Sequence, residues 1–239
     1  MTALTIVLAV VLIIGTIGWT SARRKLRQAQ RAEYIRAYVF PPGLMNKLMQ
    51  RRPGLRAKDA QLVSRGLRQF FLAHLSSGRR FVSMPSQVVD DLWHEFILYT
   101  KHYDAFCRQA FGQFMHHTPA VVLSKGQTDN TGLRRCWWFC CKDENIDPRR
   151  PSRLPLLFAL DAKLGIADGF HYTADCEALR RKGLTGNVHC GGDFSSDSFD
   201  GGTAGFDDSP SSSDGGGSDG SSSDGGSGCG GGGCGGGGD

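Results

Sequence analysis

The sequence predicts a mainly α protein with three parts: an N-terminal transmembrane helix, a compact helical domain and a disordered C-terminal tail rich in Gly, Ser and Asp. Three features predict these parts: an apolar run near the N-terminus, helical spacing of apolar residues through the middle of the chain, and a tail almost without apolar side chains. We place the anchor at 1–22, a basic juxtamembrane segment at 23–44, the domain at 45–190 and the tail at 191–239.

The apolar run extends from Ala3 to Thr20 and contains no charged residue. As a helix it would reach about 27 Å, just enough to cross the hydrocarbon core of a bilayer. Four basic residues follow it directly: Arg23, Arg24, Lys25 and Arg27. The positive-inside rule therefore predicts a single-pass protein of the cell membrane with its N-terminus outside and its domain in the cytoplasm. A cleaved signal peptide with a site at Thr20-Ser21-Ala22 is the alternative, although no positive residue precedes the run.

The charge is distributed unevenly along the chain. Residues 191–239 hold 20 of the 33 glycines and 9 of the 23 acidic residues, and no Lys or Arg. The net charge of +5 therefore combines a basic body at +14 with a tail at −9. Such asymmetry indicates an interaction surface, and it leaves nucleic-acid binding by the basic body as a less favoured alternative.

The first half of the domain contains three amphipathic segments. In the first, apolar residues from Leu62 to Leu75 share one face, and Ser76-Ser77-Gly78 ends the helix. The second begins near Ser86 and runs to about Thr100, and the third runs from about His102 to Ala110. At 100° per residue, His94 faces away from the main apolar stripe of the second helix, which predicts neighbours on both of its faces.

The second half of the domain is less regular. LRRCWWFCCKDEN, which starts at Leu133, is compatible with a helix, and another apolar helix begins at about Pro155. Residues 124–130 read as a loop. The piece from Gly169 to Cys190 has no strong period, and we expect a short strand or hairpin there.

The pair His94-Glu95 suggests a zinc protease at first sight. That motif requires a second histidine four residues after the first, on the same helical face. Here the position is occupied by Leu98. The metalloprotease reading is therefore excluded.

A looser metal site is still compatible with the sequence. His94, Cys107 and either His116 or His117 could supply three nitrogen or sulfur ligands for zinc. Asp90, one helical turn before His94, could be a fourth ligand or orient the imidazole. The competing interpretation is structural, because Cys107 falls in an apolar stripe and His94 can satisfy its hydrogen bonds within the helix. We assign no catalytic residue.

Between Pro85 and Pro119 the chain carries a string of motifs. They are Pro85-Ser86, Asp90 or Asp91, Trp93-His94, Leu98, Thr100, Tyr103, Cys107, Phe111-Gly112, Phe114 and His116-His117-Thr118-Pro119. With LPLLFALDAKLGIADGFHYTADC and the GCGGGGCGGGG tail, they resemble bacterial members of the glycine-rich domain-containing protein-like family. The resemblance covers roughly 55–190 plus the tail and implies a helical module without an established enzymatic activity. This chain has Phe96 and Tyr99 where many relatives carry His and Asp, which disfavours a polar site.

These observations favour a membrane-tethered, non-enzymatic interaction module with an unknown protein partner. Its lipid contact would be made through the N-terminal helix. The alternative is a metal-binding or thiol-dependent enzyme that uses His94, Cys107 and His116 or His117, with zinc as the candidate ion.

Overall fold

The computed structural model describes residues 2–117, 131–174 and 188–190. These ranges contain seven helices and one two-stranded sheet, which confirms a mainly α protein. The helices are α1 (Thr2–Ala37), α2 (Leu44–Arg51), α3 (Ala57–Ser76), α4 (Gln87–Leu98), α5 (Thr100–Ala110), α6 (Thr131–Asp143) and α7 (Leu156–Leu164). The predicted loop at 124–130 and the predicted disordered tail lie outside the described residues.

The N-terminal helix α1 is longer than the predicted anchor. It continues through the four basic residues of the juxtamembrane segment without a break, since the first proline of the chain is Pro41. Its apolar residues from Ile6 to Trp19 are exposed. The helix is long and apolar enough to cross a membrane, a property that a signal sequence near an N-terminus shares.

The last turns of α1 are part of the folded domain. Ile35 is fully buried, and the ring of Tyr38 packs at 4.6 Å from that of Phe106 in α5. Arg31 donates a hydrogen bond from Nη1 to the carbonyl oxygen of Phe111 at 3.1 Å, at the C-terminus of α5, where a cation is favoured by the helix dipole. The packed core thus begins upstream of residue 45, where the sequence analysis placed the domain boundary.

Helix α3 is the centre of the domain, and it packs against α1, α2, α4, α6 and α7. Nearly every residue from Leu67 to Leu75 is buried. Gly66 lies at the crossing with α4 and α7, where a Cβ would overlap Leu160 and press on Val89 at 3.1 Å. The absence of a side chain at Gly66 therefore permits the close approach of three helices.

Helix α2 was not predicted from the sequence. A basic patch lies at its C-terminal end and before α3: Arg51, Arg52, Arg56 and Lys58. Two of the patch residues bind the buried carboxylate of Asp91 in α4: Arg51 Nε at 3.1 Å and Arg52 Nε at 2.6 Å. Arg52 also reaches both carboxylate oxygens of Asp168. These arginines therefore connect α2 to α4 and to the turn after α7.

The N-terminus of α4 is closed by a carboxylate from another helix. Asp161 of α7 is 1% exposed, and its Oδ1 accepts hydrogen bonds from Ser86 Oγ at 2.7 Å and the Val88 amide at 3.2 Å. Its Oδ2 accepts from the backbone amides of Gln87 at 2.8 Å and Phe170 at 2.9 Å. A negative charge at this helix end satisfies otherwise unpaired amides and fixes α4 against α7.

The expectation of a strand is confirmed, but the alternative of a hairpin is wrong. Strands β1 (His171–Thr173) and β2 (Val188–Cys190) pair in parallel, with His171 opposite Val188. A two-residue turn can join only antiparallel strands. The 14 residues from 174 to 187 separate the two strands. This length is sufficient for a crossover connection.

Candidate metal centre

Asp90, His94 and His117 meet at the side of α4 that faces away from its apolar stripe. Asp90 Oδ1 lies 3.0 Å from His117 Nε2, and Asp90 Oδ2 lies 3.3 Å from His94 Nδ1. The two imidazole rings are 4.1 Å apart at their centroids. One carboxylate therefore contacts both imidazoles through different oxygens.

The position of His117 is set by a chain of hydrogen bonds from the core. Trp93 Nε1 donates to the hydroxyl of Tyr103 at 3.1 Å, and this hydroxyl donates to the carbonyl oxygen of Met115 at 2.6 Å. The indole of Trp93 also packs edge-on against the ring of His117 at 4.5 Å. These bonds hold the segment after α5 against α4 at Met115, two residues before His117.

The helix itself holds the other two residues of the group. Asp90 and His94 are one turn apart and share a face, and His94 Nδ1 is also 2.8 Å from the backbone carbonyl oxygen of Asp90. The side chains are partly exposed, by 22% for Asp90, 42% for His94 and 14% for His117. The group is consequently ordered by the protein and still reachable from solvent.

These residues fit a divalent cation. Their candidate ligand atoms all lie within 4.8 Å of one another. In a tetrahedral zinc site, bond lengths of about 2.0–2.2 Å place neighbouring ligand atoms roughly 3.3 Å apart. The contact of 3.0 Å between Asp90 Oδ1 and His117 Nε2 is close to that separation. Two imidazoles with one carboxylate also form the facial triad of non-haem iron(II) sites.

The structure brings together only some of the residues that the sequence indicated. His94 and His117 converge, and Asp90 joins them as a direct neighbour of both. Cys107 lies instead in the core, fully buried, where burial raises the pKa of its thiol above the usual range. His116 is exposed with its ring 4.9 Å from that of Phe114. Whether a metal binds stays a prediction.

Three further cysteines lie in α6. Cys136, Cys140 and Cys141 are fully buried thiols, and the Sγ atoms of Cys136 and Cys140 are 3.9 Å apart. Burial raises the pKa of Cys141 to about 12. A thiol that stays protonated in an apolar environment is a poor nucleophile and a poor metal ligand.

Comparison with known proteins identifies the family of the chain. A family model described as UCP032817-like matches residues 30–194, which is well over half of the chain. The chain belongs to the UCP032817-like family. The match starts at the last turns of α1, beside Arg31, and includes every residue of the candidate metal centre.

The UCP032817-like assignment overturns the resemblance stated above. The interpretation as a glycine-rich domain-containing protein-like member was wrong, because the motif residues from Pro85 to Pro119 lie inside the match to a different family. No curated protein and no solved structure matches the chain. The family description names no activity, so the function has to be argued from the candidate metal centre.

Proposed function

We propose that this protein is a membrane-tethered, non-enzymatic module that binds a divalent metal ion, with zinc as the leading candidate, through Asp90, His94 and His117. The observation that carries the proposal is the Asp90 carboxylate, which contacts an imidazole nitrogen on each side at 3.0 and 3.3 Å. A cation bound here would displace the proton between Asp90 and His117. Because His94 Nδ1 donates to the backbone carbonyl oxygen of Asp90 at 2.8 Å, His94 would bind the cation through Nε2.

Three protein ligands leave one tetrahedral position open. Since His94 is 42% exposed, a further ligand has access from solvent. A side chain of a protein partner could take this position, which would make the metal the link between the tethered domain and that partner. The ordering of His117 through Tyr103 and Met115 supports this proposal, because a preformed group loses less entropy on binding.

Two alternatives from the sequence, a thiol-dependent enzyme and nucleic-acid binding, receive less support. The cysteines at 107, 136, 140 and 141 are buried, which disfavours a thiol-dependent enzyme based on them. Arg51 and Arg52 are paired with Asp91, so the basic patch before α3 offers less free charge for nucleic acid than its composition indicated.

Metal binding is tested with the full chain in detergent. Zinc affinity is measured by competition with a chromophoric chelator, and zinc stoichiometry by elemental analysis. We expect one zinc ion per chain. The zinc affinity should fall at least about 100-fold in His94→Ala, His117→Ala and Asp90→Ala. His116→Ala is the matched control, since it removes the neighbouring exposed imidazole.

Retention of wild-type affinity by both His94→Ala and His117→Ala would refute the site. Equal loss in His116→Ala would show that histidines bind zinc non-specifically. Circular dichroism of each variant separates lost ligands from lost structure.

The membrane tether is tested separately by alkaline extraction of membranes and by intact mass. We expect the chain to stay in the membrane fraction with α1 intact, and the domain to be digested by protease only when the cytoplasmic side is accessible. An intact mass that corresponds to a chain beginning near Ala22 would identify a cleaved signal peptide and contradict the tether.

A further inference from the structure

A cationic cleft lies between the end of α1, α3, the end of α6 and α7, and it includes no residue of the candidate metal centre. Its cavity volume is about 760 Å³, within the usual range of about 300–1,000 Å³ for small-molecule sites. Five basic residues line it: Arg36, Arg65, Arg68, Arg153 and Lys163. Two acidic residues, Asp143 and Glu144, also line it.

The two acidic residues of the cleft are already engaged. Asp143 pairs with Arg36 at 3.1 Å, and Glu144 pairs with Arg153. Glu144 also accepts hydrogen bonds from Gln69 Nε2 at 2.8 Å and from a backbone amide at the start of α7. Within the described part of the chain, no carboxylate compensates the three remaining cations. These are Arg65, Arg68 and Lys163.

Arg68 is held rigidly at the wall of the cleft. Its Nη2 donates to the carbonyl oxygen of Tyr38 at 2.8 Å, its Nη1 donates to Ser64 Oγ at 3.1 Å, and its guanidinium lies over the Phe40 ring at 4.8 Å. Burial and the nearby charge of Arg65 lower the pKa of Arg68. The protein thus fixes a cation where positive charge is disfavoured, and an anion would relieve this repulsion.

Apart from Gln69, the rest of the lining is apolar. Side chains of four leucines and one alanine form it: Leu62, Leu72, Leu154, Leu156 and Ala159. A purely inorganic anion would leave this surface without a contact. An organic molecule that carries a doubly charged phosphate group would use both the cations and the apolar wall.

We propose that this cleft binds a phosphate monoester, with Arg65 and Lys163 at the phosphate, the fixed charge of Arg68 beside it, and the leucine side chains against the organic part. A soluble ester and a lipid headgroup share this chemistry. Arg36 lies 13 residues beyond Arg23, which corresponds to about 20 Å along a helix. Because a lipid in the bilayer would have to bridge that distance, the geometry favours the soluble ester.

The test uses the full chain in nanodiscs of phosphatidylcholine, with phenyl phosphate as the probe and isothermal titration calorimetry as the measurement. A chelator is present throughout, so that a bound metal ion cannot hold the phosphate. We expect binding that weakens roughly tenfold in each of Arg65→Gln and Lys163→Gln, as for the loss of one charged hydrogen bond. Lys58→Gln is the matched control, since Lys58 is an exposed cation of α3 that does not line the cleft.

Four comparisons decide the outcome. Phenyl phosphate binding that is unchanged in both cleft variants would overturn the proposal, as would equally tight binding of benzoate. The absence of binding both to phenyl phosphate and to nanodiscs that contain phosphatidic acid would also overturn it. Unchanged binding in His94→Ala separates the cleft from the metal centre. A chain that binds phosphatidic acid in nanodiscs but not phenyl phosphate, and that loses this binding in the same two variants, would support the phosphate site. That result would assign the source of the phosphate to lipid.

Discussion

Asp161, which lies against the N-terminus of α4, and Asp90, within its first turn, differ in the kind of partner they have. Asp161 at its N-terminus is 1% exposed and accepts hydrogen bonds only from backbone amides and the Ser86 hydroxyl. Asp90 in its first turn is 22% exposed and contacts two imidazoles. Amides and hydroxyls keep their protons, whereas imidazoles can exchange theirs for a metal ion. Partner type and burial together separate a carboxylate that holds the fold from one that can bind a ligand.

The largest expected effect is that of Asp161→Ala. This change leaves the Ser86 hydroxyl and three backbone amides without their acceptor, and we expect it to lower the free energy of unfolding by about 3–5 kcal/mol. Asp90→Ala, at the partly exposed site, is expected to lower it by no more than about 1 kcal/mol. Urea denaturation followed by circular dichroism measures both. Similar losses in the two variants would remove the distinction between the two aspartates.

The second-largest effect is expected from His74, which, like Asp161, stabilises the fold and is not part of the metal centre. His74 in α3 is buried, with Nδ1 3.0 Å from the Arg80 carbonyl oxygen, and burial lowers its pKa from 6.5 to about 4. Because the folded state prefers the neutral imidazole, this group contributes fully above about pH 6.5. The contribution is lost progressively as the pH falls towards 4, by about 3 kcal/mol in total.

The unfolding free energy measured from pH 7 to pH 4 tests this expectation. His74→Gln should flatten the dependence, while His116→Ala, which removes an exposed imidazole, should leave it unchanged. A pH dependence that survives in His74→Gln would assign it to other groups.

A smaller effect is expected from Tyr103→Phe, which connects the core to the metal centre. The change removes the hydroxyl between Trp93 and Met115, at a cost of about 1–2 kcal/mol in stability. Zinc affinity should fall about tenfold, because His117 loses its support while all three ligands remain. Tyr99→Phe is the control, since its hydroxyl makes only an exposed 3.4 Å contact with the Pro42 carbonyl oxygen. Unchanged zinc affinity in Tyr103→Phe would show that His117 is positioned by other contacts.

The smallest expected effect is alkylation of the cysteine thiols in the folded chain. Cys107 and the three cysteines of α6 should resist alkylation in the folded chain, because they are buried. Peptide mapping by mass spectrometry after native and denaturing labelling gives the modified fraction of each cysteine. Rapid native labelling of Cys107 would restore the thiol-dependent alternative.

Local periodicity predicted much of the fold. The helical faces of α3, α4 and α5 follow from apolar spacing, and so does the position of His94 outside the main stripe. Helix α2 has little such signal, because it is short and is stabilised by Arg51, whose partner Asp91 lies 40 residues further along the chain. The parallel pairing of β1 and β2 is likewise a long-range contact without a local pattern.

The candidate metal centre was only partly predictable. The i, i+4 spacing of Asp90 and His94 places them together on any helix. The choice of His117 over His116 depends on the path of the chain after α5, which the bond from Tyr103 to Met115 fixes. Cys107 could not be placed from its residue type, since cysteine serves as a ligand and as a small core residue alike.

The unbroken course of α1 has a mechanical consequence. The helix is fixed in the core at Ile35 and Arg31, and only the residues from Arg23 to Gln30 separate this attachment from the apolar half, about 12 Å along the axis. A flexible linker would let the domain turn freely, whereas a continuous helix transmits torque and tilt. Any force that rotates the apolar half would therefore turn the metal centre and the cleft with it, so that α1 sets the direction in which each faces.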